Sequence, residues 1–300
     1  MKKFGIDISV WQGDFNLERA KREGVEFVII KGGGGDDGLY IDSRFEQNYR
    51  KAKNLGLNVG VYWFSRALTT NDAKAEADFF YRYCLKGKQF DLPVFIDVEN
   101  KTQLSVGPRM LTDIVKAWFE YLENLGYYVG IYSSLYYINR KLYDSELQKH
   151  AHWIAQWNTS LDYAHKDICG VWQFGGETNY IRSNRVAGVT CDQDYLLIDY
   201  PAYIKSHGLN GYAKSASKPT KNTNVKQEVC NVELPILRRG DNSGYVRTAQ
   251  ILLNKYYDAK LTEDGIFGPA TENAVRWYQR SRKLTSDGIV GAQTWKQLLK

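Results

Sequence analysis

The sequence has few of the residues that build small cross-linked or metal-stabilised scaffolds. Its 300 residues include 4 Cys, 6 Pro and 2 Met, and no two cysteines form a Cys-x-x-Cys pair. This spacing argues against a zinc site and against a dense disulfide framework, so reduced thiols are expected. The chain also lacks a run of about eighteen apolar residues, which predicts no membrane span. Its first residues enter a strand-like pattern directly, so no secretion signal is expected.

The overall composition is that of a folded protein. Hydrophobic residues make up 43% of the chain and charged residues 25%, which excludes a disordered or collagen-like protein. Aromatic residues, at 14%, are abundant. Such an excess is typical of a carbohydrate-binding surface or of a bulky core, and composition leaves both readings open.

The excess positive charge lies in the last third of the chain. Residues 1–209 contain 25 Lys and Arg against 26 Asp and Glu, whereas residues 210–300 contain 15 against 8. A basic module beside a neutral body suggests attachment to an anionic surface, such as nucleic acid, membrane or cell wall. Nucleic acid is not the expected partner, because the tail contains no nucleic-acid-binding motif and its charges are dispersed.

Residues 1–209 alternate between short apolar runs and amphipathic segments. This rhythm predicts successive βα units and an α/β fold with a largely parallel sheet. Five such units come first, and three strands without long helices between them follow, which indicates an irregular barrel with its chemistry at the C-terminal strand ends. The predicted strands cover residues 4–8, 27–31, 59–64, 92–98, 128–132, 152–156, 171–174 and 194–198.

The C-terminal third divides into a linker and a second domain. Residues 210–232 are poor in apolar side chains and rich in Ser, Thr, Asn and Lys, which is typical of a linker. In residues 233–300 the pattern Leu-Thr-x-Asp-Gly-Ile-x-Gly begins at Leu261 and again at Leu284. We expect Thr271 and Thr294, which follow the two copies, to cap helices in a small all-α domain of three helices.

Four acidic residues form the sharpest local pattern. Asp97 and Glu99 end the predicted fourth strand, and their i, i+2 spacing places both on one face with Cα atoms roughly 7 Å apart. Two carboxylates so close repel each other, so one of them keeps its proton to a higher pH, as the general acid of glycoside hydrolysis must. The plainer alternative is that the two acids only solvate the end of the strand. Asp7 ends the first strand and Asp192 opens the last, and these strands are neighbours in a closed barrel. We therefore expect all four acids at one mouth.

Several flat or amide side chains near strand ends are candidates for sugar binding. Rings at such positions can stack on the apolar faces of sugars, though each ring is as well explained by packing. These candidates are Tyr62, Trp63, Tyr132, Trp157, Trp172 and Gln173.

Residues 1–205 resemble the glycoside hydrolase family 25 muramidases, the Chalaropsis-type lysozymes. The stretches that carry the resemblance occur in the family's order: GIDIS and WQG within 5–13, FVIIK at 27–31, GLNVGVYWF at 56–64, FIDVE at 95–99, YS at 132–133, WIAQW at 153–157, WQF at 172–174 and CDQD at 191–194. The resemblance implies a flattened (β/α)5(β)3 barrel that cleaves the β-1,4 bond between N-acetylmuramic acid and N-acetylglucosamine in bacterial peptidoglycan.

The resemblance also implies roles for the acids. Glu99 would be the general acid, and Asp97 would stabilise the transition state or orient the 2-acetamido group of the substrate. Asp7 and Asp192 would complete the acidic pocket. Attack by the acetamido oxygen and attack by water both stay open. No metal or cofactor is expected.

Some positions depart from the family pattern. The run Gly32–Gly38 stands where Ala-Thr-Glu-like residues are common, and we expect it to form a loop beside the cleft. Trp63 stands where histidine is common and Asp194 where asparagine is common, differences expected to alter subsites rather than chemistry.

Residues 234–300 resemble the small three-helix peptidoglycan-binding domain of many wall hydrolases. Together the two resemblances imply bacterial peptidoglycan as the partner of both domains. Without a secretion signal, such a chain looks like a phage or prophage endolysin made in the host cytoplasm and acting on the wall after release; an autolysin exported by another route is the alternative.

Two other functions are weighed against a muramidase. One is a non-catalytic wall-binding lectin. The other is a chitinase, which is disfavoured because Phe95 stands where that family has a further acid.

Overall fold

The computed structural model describes residues 2–35, 38–213, 235–257, 259–282 and 284–298. The chain separates into two compact units, with the division between Lys218 and Pro219. No helix in these described ranges is long and apolar enough to cross a membrane.

The first unit alternates strands with helices. Its strands are β1 (Lys3–Ile8), β2 (Phe27–Gly34), β3 (Tyr40–Ile41), β4 (Asn58–Phe64), β5 (Val94–Asp97), β6 (Val129–Ser134), β7 (Ala151–Ala155), β8 (Cys169–Gly175), β9 (Arg185–Val186), β10 (Val189–Thr190) and β11 (Asp192–Leu196). Its helices are α1 (Leu17–Arg22), α2 (Phe45–Asn54), α3 (Thr70–Phe80), α4 (Pro108–Glu123), α5 (Leu135–Lys141) and α6 (Tyr200–His207).

Eight of these strands form a closed barrel. Their order is β1-β11-β8-β7-β6-β5-β4-β2, and β2 pairs again with β1 to close the ring. The pairs from β2 to β8 along this ring are parallel, whereas β11 is antiparallel to both neighbours. The prediction of five βα units followed by three strands is confirmed.

The alternation of side chains along each strand separates two apolar cores. Inward-facing residues such as Phe27, Phe95 and Trp153 fill the barrel. Outward-facing residues such as Ile30 and Ile96 pack beneath the helices. The interior of the barrel is therefore packed, and the strand ends rather than the interior offer space for a catalytic site.

Local sequence explains where the longest helix lies. Pro108 occupies the first turn of α4, where its missing N–H costs nothing. Leu111, Val115, Trp118 and Leu122 recur at spacings of three and four residues and are all buried. This apolar stripe holds α4 against the outer face of the barrel.

The glycine run is part of a strand rather than a loop. β2 continues to Gly34, three residues beyond the predicted end. A Cβ atom on Gly32 would lie 2.4 Å from the ring of Phe80, and one on Gly33 would lie 2.0 Å from the carbonyl oxygen of Tyr40. The expectation of a cleft loop is therefore wrong for residues 32–34, where close packing demands glycine; Asp36 and Asp37 lie outside the described residues.

The barrel unit extends past the predicted boundary at residue 209. Asn210 is fully buried, its Nδ2 donates to the carbonyl of Leu92 at 2.7 Å, and its Oδ1 accepts from the backbone N–H of Tyr128 at 2.7 Å. The hydroxyl of Tyr212 donates to Asp91. Residues 210–212 therefore belong to the barrel rather than to the predicted linker, and residues 214–232 of that linker lie outside the described part of the chain.

The second unit contains the three predicted helices: α7 (Gly244–Tyr257), α8 (Pro269–Ser281) and α9 (Ala292–Leu298). Its core includes Leu253, Phe267, Val275, Tyr278 and Trp295. This architecture confirms the small all-α domain.

The sequence repeat in the second unit corresponds to a repeated hydrogen-bond network. Nε2 of Gln250 donates to Asp264 at 2.9 Å and to Thr271 Oγ1 at 3.1 Å. Nε2 of Gln279 donates to Asp287 at 2.7 Å and to Thr294 Oγ1 at 3.1 Å. Thr271 and Thr294 lie inside the first turns of α8 and α9, so the expectation that they cap these helices is wrong.

Candidate active site

The four predicted acids meet at the carboxyl end of the parallel strands. Asp7 lies directly opposite Asp192 in the β1–β11 pair. Asp97 ends β5, and Glu99 follows two residues later on the same side of the strand. Asp7 and Asp97 are buried, whereas Glu99 is exposed at the mouth.

Two tyrosines show that the four acids share one space. Burial raises the pKa of both Tyr62 and Tyr132 well above the ordinary value, and the negative charges of all four acids raise each further. A phenol responds in this way only to charges that lie close to it. The structure therefore brings the acids to one mouth, as the barrel argument predicted.

Asp97 and Glu99 differ in their surroundings. Burial raises the pKa of Asp97 well above its ordinary value, and the charge of Glu99 raises it further. The Oδ1 atom of Asp97 has no hydrogen-bond partner among the described residues. Partial loss of hydration also raises the pKa of the more accessible Glu99, while the positive charge of Lys31 lowers the pKa of both acids. The pair thus retains a proton at a pH where isolated carboxyls have lost theirs.

Three carboxyls crowd the opposite side of the mouth. Burial, followed by the charges of Glu99 and Glu177, raises the pKa of Asp192 to about 6. Burial also raises the pKa of Asp7 well above its ordinary value, and the charges of Asp192 and Asp194 add to this effect. Because like charges so close cannot all ionise at little cost, the three acids keep a proton to a higher pH than isolated carboxyls do.

Asp194, which the sequence predicted to alter a subsite, lies among the acids of the mouth, and Lys31 is a site residue that the prediction did not include. Asp194 is fully buried, and its Oδ1 accepts a hydrogen bond of 2.8 Å from Nε1 of Trp153. Asp194 lies two residues after Asp192, so strand alternation places both on the inner face. The same alternation places Lys31 inside the barrel, two residues after the core residue Ile29. This spacing was the signal that could have identified both residues.

Gln173 joins the walls of the mouth. Its Nε2 donates to Asp7 at 2.9 Å, and its Oε1 accepts from the hydroxyl of Tyr132 and from Nε1 of Trp157, both at 3.1 Å. Gln173 is only 2% exposed. With its amide bonded to three residues of the mouth, Gln173 positions these residues, and its direct contact with substrate stays a prediction.

Two of the predicted sugar-binding rings face away from the mouth. Trp63 is fully buried beneath α3, where its Nε1 donates to Glu76 at 3.1 Å. Trp172 is 5% exposed and donates to the carbonyl of Gln156 at 2.9 Å. Each is adjacent in sequence to an inward-facing residue, so the pleat turns it to the outer face of the barrel, where Trp63 packs beneath α3 and Trp172 packs against Phe174 and Tyr195. The sugar-binding prediction is wrong for both.

The remaining predicted rings do line the mouth. Tyr62 and Tyr132 are half-buried and pack against Trp153, with ring centroids 5.8 and 4.4 Å from it. Trp157 is 39% exposed. A Cβ atom on Gly176 would lie 2.0 Å from Asp192 Oδ1 and 2.6 Å from the ring of Trp157, so the glycine allows both side chains to occupy this wall.

The arrangement is suited to acid-assisted cleavage of a neutral polar substrate. Carboxyls with raised pKa can donate a proton, a neighbouring carboxylate can stabilise positive charge, and the aromatic walls can hold a ring-shaped substrate. Among the described residues, no group of three or more His, Cys, Asp or Glu is placed to hold a metal ion.

An acidic, aromatic-walled mouth on an α/β barrel defines the class of protein: a glycoside hydrolase. More specifically, the chain belongs to the glycosyl hydrolases family 25, whose family model matches residues 6–181. Residues 242–298 match the model described as a putative peptidoglycan binding domain. Both family resemblances seen in the sequence are confirmed.

Curated relatives are similar in one or both units. The chain is 29% identical over 291 residues to the autolytic lysozyme of Clostridium acetobutylicum, which covers 97% of this chain and 76% of that protein. It is 28% identical over 202 residues to lysozyme M1 of Streptomyces globisporus, covering 63% of this chain and 65% of that protein.

Solved structures share the barrel. The CTP1L endolysin matches with a TM-score of 0.57 and 25% identity over 68% of this chain and 70% of that chain. The bacterial lysozyme of Streptomyces coelicolor matches with a TM-score of 0.57 and 24% identity over 71% of this chain and 97% of that chain. The second likeness concerns the fold alone.

Proposed function

We propose that the protein is an N-acetylmuramidase that hydrolyses the β-1,4 bond between N-acetylmuramic acid and N-acetylglucosamine in bacterial peptidoglycan. The observation that carries this proposal is the meeting of Asp7, Asp97, Glu99 and Asp192 at one aromatic-walled mouth. Membership of family 25 and similarity to two lysozymes support the choice of substrate.

Glu99 is the proton donor in this proposal. It is the most accessible of the four acids, and a general acid must reach the oxygen of the leaving group. The partial loss of hydration that raises its pKa becomes stronger when a sugar displaces water from the mouth. The proton that it needs is therefore retained in the complex.

Asp97 acts on the sugar rather than on the leaving group in this proposal. It is 3% exposed and too deeply placed to meet a leaving group, but it lies two residues before Glu99 on the same face. From there it stabilises the positive charge that develops on the sugar or orients the 2-acetamido group. Asp7, positioned by Gln173, and Asp192 complete the wall opposite.

Substitution of Glu99 tests this assignment. Glu99→Gln removes the proton and keeps the shape, and we expect turnover to fall by roughly 10²- to 10⁴-fold. The assay digests purified cell walls, reduces the products with borohydride and identifies the reduced ends by mass spectrometry. Reduced muramic acid supports the proposal, whereas reduced glucosamine assigns a different bond.

The matched control is Glu120→Gln, which changes an exposed carboxyl near the C-terminal end of α4, away from the mouth. It should retain wild-type turnover. Full activity of folded Glu99→Gln would transfer the acid role to another residue. Sedimentation of the wild-type protein with walls, without any new reducing ends, would favour the wall-binding lectin instead.

We further propose that the second unit holds the enzyme on the wall. Residues 242–298 match a putative peptidoglycan binding domain, and residues 210–300 carry the excess positive charge. The biological setting is that of a phage endolysin or a bacterial autolysin. The first is supported by likeness to the CTP1L endolysin, and the second by likeness to an autolytic lysozyme over 97% of the chain.

A further inference from the structure

The most exposed aromatic residue of the barrel lies beside the mouth and has no role in the site described above. Trp11 is 85% exposed and follows β1, three residues after Ile8. The carboxyl end of β1 also holds Asp7. The turn that carries the indole therefore begins at the same end of the barrel as the mouth.

The turn that carries Trp11 is firmly held. The backbone N–H of Ser9 donates to Oε1 of Gln12 at 2.8 Å, and the N–H of Trp11 donates to Oγ of Ser9 at 3.2 Å. The N–H of Val10 donates to Oδ2 of Asp42 at 3.0 Å. Gly13 leaves the turn with a φ of 63°, which favours glycine. A ring displayed on so fixed a backbone loses little backbone freedom when it binds a ligand.

Four exposed apolar residues lie on two segments that Asp42 joins; these residues, Val10, Trp11, Leu39 and Ile41, are here called the rim patch. Val10, Leu39 and Ile41 are 42%, 40% and 40% exposed. Asp42 links the two loops that carry the patch, since it bonds to Val10 and directly follows Ile41. Scattered apolar residues need no explanation, but a group of four beside a catalytic mouth is typical of a binding surface.

We propose that the rim patch binds a sugar unit of the glycan strand that lies outside the cleaved linkage, with Trp11 stacking on the apolar face of its ring. This inference rests on the proposed function. A polymer cut within the mouth must continue past the rim, so the patch is continuous with the path of the substrate. The methyl of an N-acetyl group suits Val10 and Ile41. An N-acetylglucosamine ring, which carries no carboxylate, avoids repulsion by the neighbouring acids.

The test compares glycan fragments of increasing length, using one, two, three and four disaccharide repeats of N-acetylglucosamine and N-acetylmuramic acid without peptides. For full-length Trp11→Ala we expect kcat/KM on the longest fragment to fall about tenfold, an effect of the size that one well-placed aromatic contact contributes. The loss should appear in KM and should shrink as the fragment shortens. Trp11→Tyr should recover most of it, because a phenol ring also stacks on sugars.

Tyr83→Ala is the matched control. Tyr83 is 54% exposed and lies after α3, in the segment that leads into the amino end of β5. The substitution removes an exposed ring at the end of the barrel opposite the mouth, and kcat/KM should be unchanged for glycan fragments of every length. An equal loss in Trp11→Ala at all lengths, or no loss at any, would overturn the inference. So would a shift in sedimentation between wild type and Trp11→Ala, which would make the patch an interface between two copies.

A binding experiment separates this inference from the proposed function. Calorimetric titration of Glu99→Gln and of Glu99→Gln/Trp11→Ala with the longest fragment measures affinity without cleavage, and the second unit is the same in both proteins. We expect about tenfold weaker binding in the double variant. If the two variants differ in affinity but wild type cleaves none of the fragments, the rim site is supported and the proposed reaction is wrong. If the two affinities are equal and wild type cleaves normally, the proposed reaction is supported and the rim site is wrong.

Discussion

Substitution of Asp192 by asparagine should stabilise the protein at neutral pH while impairing its site. The pKa of Asp192 in the folded protein is about 6, against an ordinary value of 3.8, because burial and the charges of Glu99 and Glu177 oppose its ionisation. A difference of this size corresponds to about 3 kcal/mol of unfolding free energy. The relief of crowding on Asp7 acts in the same direction.

The sign of the pH dependence follows from proton binding. Between about pH 4 and pH 6 the folded protein keeps a proton on Asp192 that the unfolded chain has released, so stability falls as the pH rises through this window. Asparagine has no proton to lose. The stability gained by Asp192→Asn should therefore be smallest near pH 4 and reach its full value, up to about 3 kcal/mol, above pH 7.

The assay is urea unfolding of the full chain at pH 4, 5, 6 and 7.5, with the barrel transition followed by tryptophan fluorescence. Asp167→Asn is the control, because it removes an exposed carboxyl of the same unit and should show no such trend. Equal pH dependence of wild type and Asp192→Asn would refute the reasoning, as would a loss of stability in Asp192→Asn that appears only above pH 6.

Two further predictions concern residues whose roles the structure revises. Trp63→Ala should lower the unfolding free energy of the barrel by about 3–5 kcal/mol, because it leaves a cavity and removes the hydrogen-bond donor of Glu76. KM should be unchanged in protein that remains folded. Urea unfolding and fragment hydrolysis measure the two effects, and a raised KM at unchanged stability would restore the sugar-binding role. A chain ending at residue 209 should be about 2–4 kcal/mol less stable than one ending at residue 213, because it lacks the hydrogen bonds of Asn210 and Tyr212. Thermal unfolding compares the two chains. Equal unfolding midpoints would show that these residues belong to the linker.

The rhythm of the sequence was sufficient to predict the barrel. Short apolar runs separated by amphipathic segments predict βα units because each run must be covered by a helix on its outer face. Once the strands close into a ring, the positions of Asp7 and Asp192 next to each other follow from chain order alone. Fold and acid cluster were therefore accessible without coordinates.

The direction of individual side chains was less accessible. Proximity to a strand end suggested both Tyr62 and Trp63, and both Gln173 and Trp172, but adjacent residues of a strand face opposite sides. A strict use of this alternation excludes one member of each pair and adds Asp194 to the site. The hydrogen bonds of Gln173 depend on distances between β1, β6 and β8 that no local pattern contains.

The boundary of the barrel and the glycine run were missed for a common reason. Asn210 lies in a polar segment that reads as linker, and its buried contacts are with residues more than eighty positions away. Gly32 and Gly33 read as a loop, but they allow the rings of Phe80 and Trp63, distant in sequence, to approach the β2 backbone. Contacts between residues so far apart are set by the tertiary fold, which overrides local composition.

The seam of the barrel has a consequence for the order in which the enzyme matures. β1 is synthesised before the other strands of the barrel, yet one of its two edges is covered only by β11, which ends at Leu196. During synthesis one edge of β1 stays unpaired until nearly two hundred further residues have been added. Asp7 and Asp192 come together only when β11 pairs with β1. The catalytic mouth is therefore incomplete until β11 has been synthesised.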